Sequence, residues 1–248
     1  MFLTGCGAYH YVASPAFVPL NEKKGELKVN ISPVGVQAGY PFSDHLSVFA
    51  TYFDRFPDDF YWKEFDLEHV GDDCYTDDAC ELNMGLSYYN SYLKVRYEIL
   101  AGGGPGYIKY ESPKDLEVFP DEFKMHANRV NFFIQPTVGY GIKDIFYFGA
   151  FCRLNAYRYY NIQTYVAINS ISNDYLEPND LLLFADRKTM NLFLIEPGLM
   201  VRIGYKFVHF QTMISFTNNM SNYDLIVRYD NLYFFSIFLN FNLFEKNE

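Results

Sequence analysis

Regular alternation of apolar and polar residues constrains the fold of this chain more than any other feature. In the last such stretch, apolar Phe235, Ile237, Leu239, Phe241 and Leu243 alternate with polar Ser236, Asn240 and Asn242. A period of two predicts a β-strand with one apolar and one polar face. We interpret the apolar face as the outer one, as in a membrane barrel, because a soluble barrel hides its apolar face inside.

The composition agrees with strands that cross a membrane. Half of the 248 residues are hydrophobic and a fifth are aromatic, but no run of about 18 apolar residues predicts a spanning helix. Transmembrane strands need only about 9–11 residues each, so their hydropathy signal is weak. The net charge of −10 argues against a nucleic-acid partner, because no basic surface is present to displace phosphate counterions.

The same alternation predicts ten strands in one domain that covers residues 25–248. The predicted strands are 26–32, 34–42, 46–53, 82–89, 93–109, 127–141, 145–164, 189–205, 207–217 and 232–244. The predicted fold is therefore all-β, an antiparallel transmembrane up-and-down β-barrel of about ten strands, and eight strands are the alternative.

Connections between these strands alternate in length. Short turns are predicted at 43–45, 90–92, 142–144 and 206, and long external loops at 54–81, 110–126, 165–188 and 218–231. This pattern is typical of outer-membrane barrels, in which the short turns are periplasmic. An even number of strands predicts that both termini lie on the short-turn side.

Charged residues of both signs fall on the predicted inward face. They are Lys94, Arg96, Glu98, Arg129, Arg153, Glu196 and Arg202. We favour a structural plug of ion pairs, because a barrel of about ten strands is only modestly wider than the eight-stranded kind whose side chains fill the interior. A solute channel is the alternative, although aqueous pores need about 16 strands.

The first residues resemble a lipid-attachment motif. Leu3-Thr4-Gly5-Cys6 resembles the lipobox of bacterial lipoproteins, in which the cysteine is acylated after cleavage of a signal peptide. Only Met1 and Phe2 precede it, so we expect a truncated start. Residues 1–24 are then a lipobox and a tether between the lipid and the barrel, and a chance tetrapeptide is the alternative.

Most of the net negative charge lies in the predicted loop 54–81. Cys74 and Cys80 in this loop predict a local disulfide in an exported protein. A candidate acidic site on the same loop comprises Asp72, Asp73, Asp77, Asp78 and Glu81. The spacing is not that of an EF-hand, so we favour solvated carboxylates over a calcium site and predict no metal.

Sequence signals for catalysis are weak. Neither a Gly-x-Ser-x-Gly nor a His-Glu-x-x-His motif occurs. The glycine-rich run 102–106 lies within a predicted strand and does not precede a helix, so it is not a phosphate-binding loop. We predict that the protein is not an enzyme and uses no cofactor.

Several segments carry a resemblance to a known group of proteins. They are Val18-Pro19-Leu20-Asn21-Glu22-Lys23-Lys24-Gly25-Glu26-Leu27, Val36-Gln37-Ala38-Gly39-Tyr40, Ser43-Asp44-His45-Leu46-Ser47-Val48, Phe133-Ile134-Gln135-Pro136, and Ile195-Glu196-Pro197 with Arg202. Together they resemble uncharacterised Bacteroidota outer-membrane β-barrel lipoproteins. The resemblance implies the fold and the location but carries no catalytic or ligand residue.

The function expected from these observations is non-enzymatic. The expected protein is a bacterial outer-membrane lipoprotein in contact with lipid, whose external loops bind another envelope protein or a surface glycan. The alternatives are a small-solute transporter or channel, a soluble lipocalin-like binding protein, and a barrel-embedded hydrolase or acyltransferase.

Overall fold

The described strands are all antiparallel and form one sheet. The computed structural model describes residues 14–55, 76–111, 122–142, 145–167, 188–221 and 231–242. The strands are β1 Glu26–Ser32, β2 Gly35–Pro41, β3 Leu46–Arg55, β4 Thr76–Tyr92, β5 Val95–Glu111, β6 Glu122–Ile142, β7 Phe146–Ala167, β8 Thr189–Tyr205, β9 Val208–Phe216, β10 Asn218–Asn219 and β11 Asn231–Asn242.

Ten of these strands close into a barrel. Each strand from β1 to β8 pairs with the next one along the chain, and β11 pairs with both β9 and β1, which closes the ring. The predicted ten-stranded antiparallel barrel is confirmed, and the eight-stranded alternative is wrong. In the described part of the chain, no helix is long and apolar enough to cross a membrane.

The short strand β10 continues the line of β9 along β8. The pairs Ser215↔Gly198 and Asn218↔Ile195 share one register, with Pro197 between them. Proline has no N–H to donate to the ladder, which accounts for the interruption there. The β6–β7 ladder is interrupted in the same way beside Pro136, between the pairs Ile134↔Leu154 and Thr137↔Phe151.

The apolar face of the wall looks outward, as the alternation predicts. Phe132 is 67 % exposed and Phe235 is 69 % exposed. Other large apolar side chains on the same face are also exposed, among them Ile31, Leu82, Met84, Leu86, Ile134, Val138, Phe193, Leu199, Ile203 and Ile237. The inward face of the wall carries buried polar and charged side chains together with aromatic and aliphatic ones.

Several predicted connections differ from those in the structure. The predicted turn at 90–92 is wrong, because β4 continues to Tyr92 and the turn is Leu93-Lys94. The predicted loop 54–81 is too long, because β3 runs to Arg55 and β4 begins at Thr76. Strand residues also replace both ends of the predicted loop 110–126 and the beginning of the predicted loop 165–188. The predicted loop 218–231 begins with β10 and ends with the first residue of β11.

The segment Ser14–Asn21 lies inside the barrel and is fully buried. Its side chains alternate between two apolar clusters in the lumen. Ala16, Val18 and Leu20 contact Phe151, Met200, Met213 and Phe234, whereas Phe17 contacts Phe49, Leu100, Phe133 and Phe238. The prediction that residues 1–24 include a tether between the lipid and the barrel is therefore wrong for residues 14–21, which lie inside the barrel.

Candidate functional site in the barrel lumen

Inward side chains of the barrel bind the main chain of the segment Ser14–Glu22, which we call the lumen segment. Its carbonyl oxygens accept hydrogen bonds from five different strands. The donors are Arg153 to Ser14, Gln37 to Pro15 at 2.8 Å, Gln135 to Phe17 at 2.6 Å, Arg202 to Val18 at 2.6 Å and Lys28 to Leu20 at 2.6 Å. A carbonyl in a dry lumen needs such a partner, because an unpaired buried polar group costs about 1–3 kcal/mol.

Polar side chains fix the two ends of the lumen segment. At one end, Asn21 donates to Ser47 at 3.0 Å and to Glu98 at 2.7 Å, and Glu22 forms a salt bridge with Arg96 at 2.7 Å. At the other end, Ser14 donates its hydroxyl to Glu81 at 2.9 Å. The lumen segment is therefore anchored along its whole described length.

Inward glycines in the wall make room for the lumen segment. A Cβ on Gly139 would lie 2.5 Å from Leu20 Cδ1, and a Cβ on Gly39 would lie 3.0 Å from Phe17 Cε1. Both glycines are buried. The missing side chains thus provide the space that two apolar residues of the lumen segment fill.

We expect Gly139→Val to displace Leu20 and to lower the free energy of unfolding by about 1–3 kcal/mol, the usual cost of overpacking. The double variant Gly139→Val with Leu20→Ala removes the clash, so its loss is expected to be smaller than the sum of the losses from Gly139→Val alone and from Leu20→Ala alone. Urea unfolding in detergent measures both. A loss in the double variant equal to the sum of the two single losses would show that Gly139 and Leu20 do not interact.

Buried ion pairs occupy the rest of the polar interior. Arg129 pairs with Glu81 at 2.8 Å, with both side chains fully buried, and Arg153 pairs with Glu196 at 2.6 Å. Lys28 also pairs with Glu26 at 3.2 Å. Arg129, Arg153 and Glu196 belong to the predicted inward cluster and lie in the lumen, whereas Glu81 was predicted to lie in an external loop.

Two more of the predicted inward charged residues, Glu98 and Arg202, form hydrogen bonds with neutral side chains. Glu98 accepts hydrogen bonds from Asn21 and Ser87. The Arg202 guanidinium lies 3.3 Å from the centroid of the Phe238 ring and donates to Gln211 at 2.7 Å. Lys94 is the exception: it is exposed in the turn after β4, so its placement in the lumen cluster is wrong.

The predicted disulfide is also wrong. Cys80 is a free thiol in β4, where its backbone pairs with Asp54 and Tyr107. Cys74 and Cys6 lie outside the described residues. Cys152 is free as well and faces outward, as the alternation predicts.

The described residues of the predicted acidic site do not lie together on one external loop. Asp77, Asp78 and Glu81 are strand residues of β4, not loop residues, and Glu81 points into the lumen. Asp72 and Asp73 lie outside the described residues. Among the described side chains, no group of three or more His, Cys, Asp or Glu is placed to hold a metal ion.

Sequence reasoning missed the lumen segment itself. Residues 14–21 carry no charged side chain, and their apolar residues show no sustained alternation with polar ones. The sequence contained only an indirect signal for a segment inside the lumen. Gly39 and Gly139 are inward positions without a side chain, which leaves space in the lumen. Gln37, Gln135 and Arg202 are inward hydrogen-bond donors near that space.

The fold and the site define a closed ten-stranded β-barrel with an apolar outer face and a lumen occupied by its own amino-terminal segment. Comparison of the chain with family models, curated proteins and solved structures found no match. The resemblance to Bacteroidota outer-membrane β-barrel lipoproteins therefore stays a prediction.

Proposed function

We propose that this protein is a non-enzymatic β-barrel of the bacterial outer membrane whose lumen is closed. The observation that carries this proposal is the lumen segment, which is hydrogen-bonded to five strands through its main-chain carbonyls. The exposed apolar outer face supports insertion in a bilayer.

A closed lumen favours a binding role over transport. Solute would have to displace the two apolar clusters and the ion pairs that surround the lumen segment. The surfaces left for recognition are then the two ends of the barrel. The long-loop end offers more chain, and we propose that it binds another envelope protein or a surface glycan.

Conductance in planar bilayers tests the closed lumen. We expect no conducting steps from the unaltered protein. Val18→Asp should produce steps, because it places a carboxylate among Phe151, Met200 and Met213 and so weakens the seating of the lumen segment. Lys23→Asp, at an exposed turn position, is the matched control and should stay closed. Steady conductance of the unaltered protein would instead support the solute channel.

Site-specific photo-crosslinking in native outer membranes tests the binding end. A photoreactive residue in the connection 168–187 is expected to yield a defined adduct, whereas the same residue at Tyr92, beside a short turn, is not. Adducts from Tyr92 alone would place the partner at the opposite end. A protein partner is distinguished from a glycan partner by mass spectrometry of the protease-digested adduct, because only a protein partner yields peptides that are not part of this chain.

A further inference from the structure

We infer that the chain is threaded through its own barrel, so that the lumen segment enters from the long-loop side and runs to the short-turn side. This inference rests on the proposed membrane location for its biological meaning. The threading itself follows from the direction of the lumen segment.

The contacts of the lumen segment lie farther from the short-turn end of the barrel as the residue number falls. Glu22 binds Arg96, the second residue of β5 at the short-turn end. Phe17 O binds Gln135, which lies seven residues from the short-turn end of β6 at Ile142. Ser14 binds Glu81, which lies eleven residues from the short-turn end of β4 at Tyr92.

The chain reverses direction at Gly25. The lumen segment before it runs towards the short-turn end, and strand β1 after it runs back towards the long-loop end. Gly25 has a φ of +82°, a conformation that favours glycine. Its N–H donates to Pro41 O at 2.8 Å, at the short-turn end of β2. The chain therefore turns at the short-turn end, and the part before it runs in from the opposite side.

The proposed threading is opposite to the expectation that both termini lie on the short-turn side, because Ser14 lies deeper in the barrel than Glu22 when measured from the short-turn end.

Three epitope insertions in the full chain test the threading. One lies between Tyr11 and Val12, one between Leu93 and Lys94 in the short turn, and one in the connection 168–187. On intact cells, antibody should label the first and third insertions to the same level, and the second only after permeabilisation. If the first insertion behaves like the short-turn insertion, the threading is overturned.

Vesicles separate this result from the proposed function. In proteoliposomes of purified protein, the epitopes near residue 12 and in 168–187 should lie on the same side of the membrane, whichever way the barrel is oriented in it. Absence of the protein from the outer-membrane fraction would count against the proposed location, while the shared side in vesicles would still support threading. Labelling on opposite sides would contradict threading wherever the protein resides.

A crosslink shows whether the labelled molecules are the threaded ones. The side chains of Asn21 and Ser47 approach to 3.0 Å, so Asn21→Cys with Ser47→Cys can lock the lumen segment after the four native cysteines are replaced by serine. The locked fraction should keep full labelling of the epitope near residue 12. Loss of labelling in that fraction would overturn the inference.

Discussion

Replacing Glu81 with glutamine should lower the free energy of barrel unfolding by about 3–5 kcal/mol, because it removes one partner of a fully buried ion pair. The carboxylate lies 2.8 Å from Arg129, and both side chains are inaccessible to solvent. It also accepts hydrogen bonds from Ser14 at 2.9 Å and from Asn83 at 2.7 Å. Glutamine retains one acceptor oxygen for the neutral donors, but it loses the charge and places an NH2 donor where the carboxylate faced Arg129, so the expected loss comes from Arg129.

The double variant Glu81→Gln with Arg129→Met is the matched control. Removing both members of a buried pair is often close to neutral, whereas removing one leaves a buried charge without its counter-charge. We therefore expect the double variant to regain most of the stability. Urea unfolding in detergent, with heat-modifiable mobility as a second readout, measures the difference. Equal losses in the single and double variants would refute the coupling.

Phe210→Glu should disrupt insertion of the barrel, whereas Gln211→Glu, one residue further, should be tolerated. Phe210 faces outward and is 71 % exposed, while Gln211 is 2 % exposed in the lumen. Phe210 is the third residue of β9, close to the short turn. A charge on the lipid face costs only about 0–1 kcal/mol near the interface, compared with about 2–4 kcal/mol for a basic residue at the bilayer midplane. The Phe210 change also loses the transfer of a large aromatic side chain into lipid, about 1.5–3 kcal/mol.

The lumen offers the new carboxylate at position 211 a different environment. Gln211 already accepts hydrogen bonds from Arg202 at 2.7 Å and 3.1 Å. Glutamate at this position would place a negative charge on that guanidinium. Heat-modifiable mobility after refolding into lipid vesicles measures the two variants side by side. Equal folding yields would mean that the outward face does not contact lipid.

The strand count and the facing of side chains were predictable because both depend on local pattern. A period of two assigns each residue to a face, and the inward placement of Arg129, Arg153, Glu196 and Arg202 follows from parity alone. The same reasoning failed for Lys94, since the alternation continues through Tyr92 and the turn follows it. Asn90-Ser91 has the composition of a turn, but these residues pair with Tyr97 and Arg96 in the β4–β5 ladder.

The acidic ends of strands were misread for a similar reason. Asp77 and Asp78 have low β-propensity and resemble loop residues. Their backbones nevertheless pair with Tyr110 and Lys109 of β5. Pairing with the neighbouring strand gives the backbone N–H and C=O groups their hydrogen bonds, and this outweighs the low β-propensity of aspartate. A boundary of this kind depends on the neighbouring strand, not on the residue itself.

The sequence by itself determined a barrel of ten antiparallel strands with an apolar outer face, because alternation and turn spacing are encoded between near neighbours. Only the tertiary structure decided what fills the lumen. The donors Gln135 and Arg202 lie 118 and 184 residues from the carbonyls that they bind. They lie next to the lumen segment because the pairing of β11 with β1 closes the sheet into a ring around it. A main-chain carbonyl is also the same in every residue, so no pattern of side chains marks it in advance.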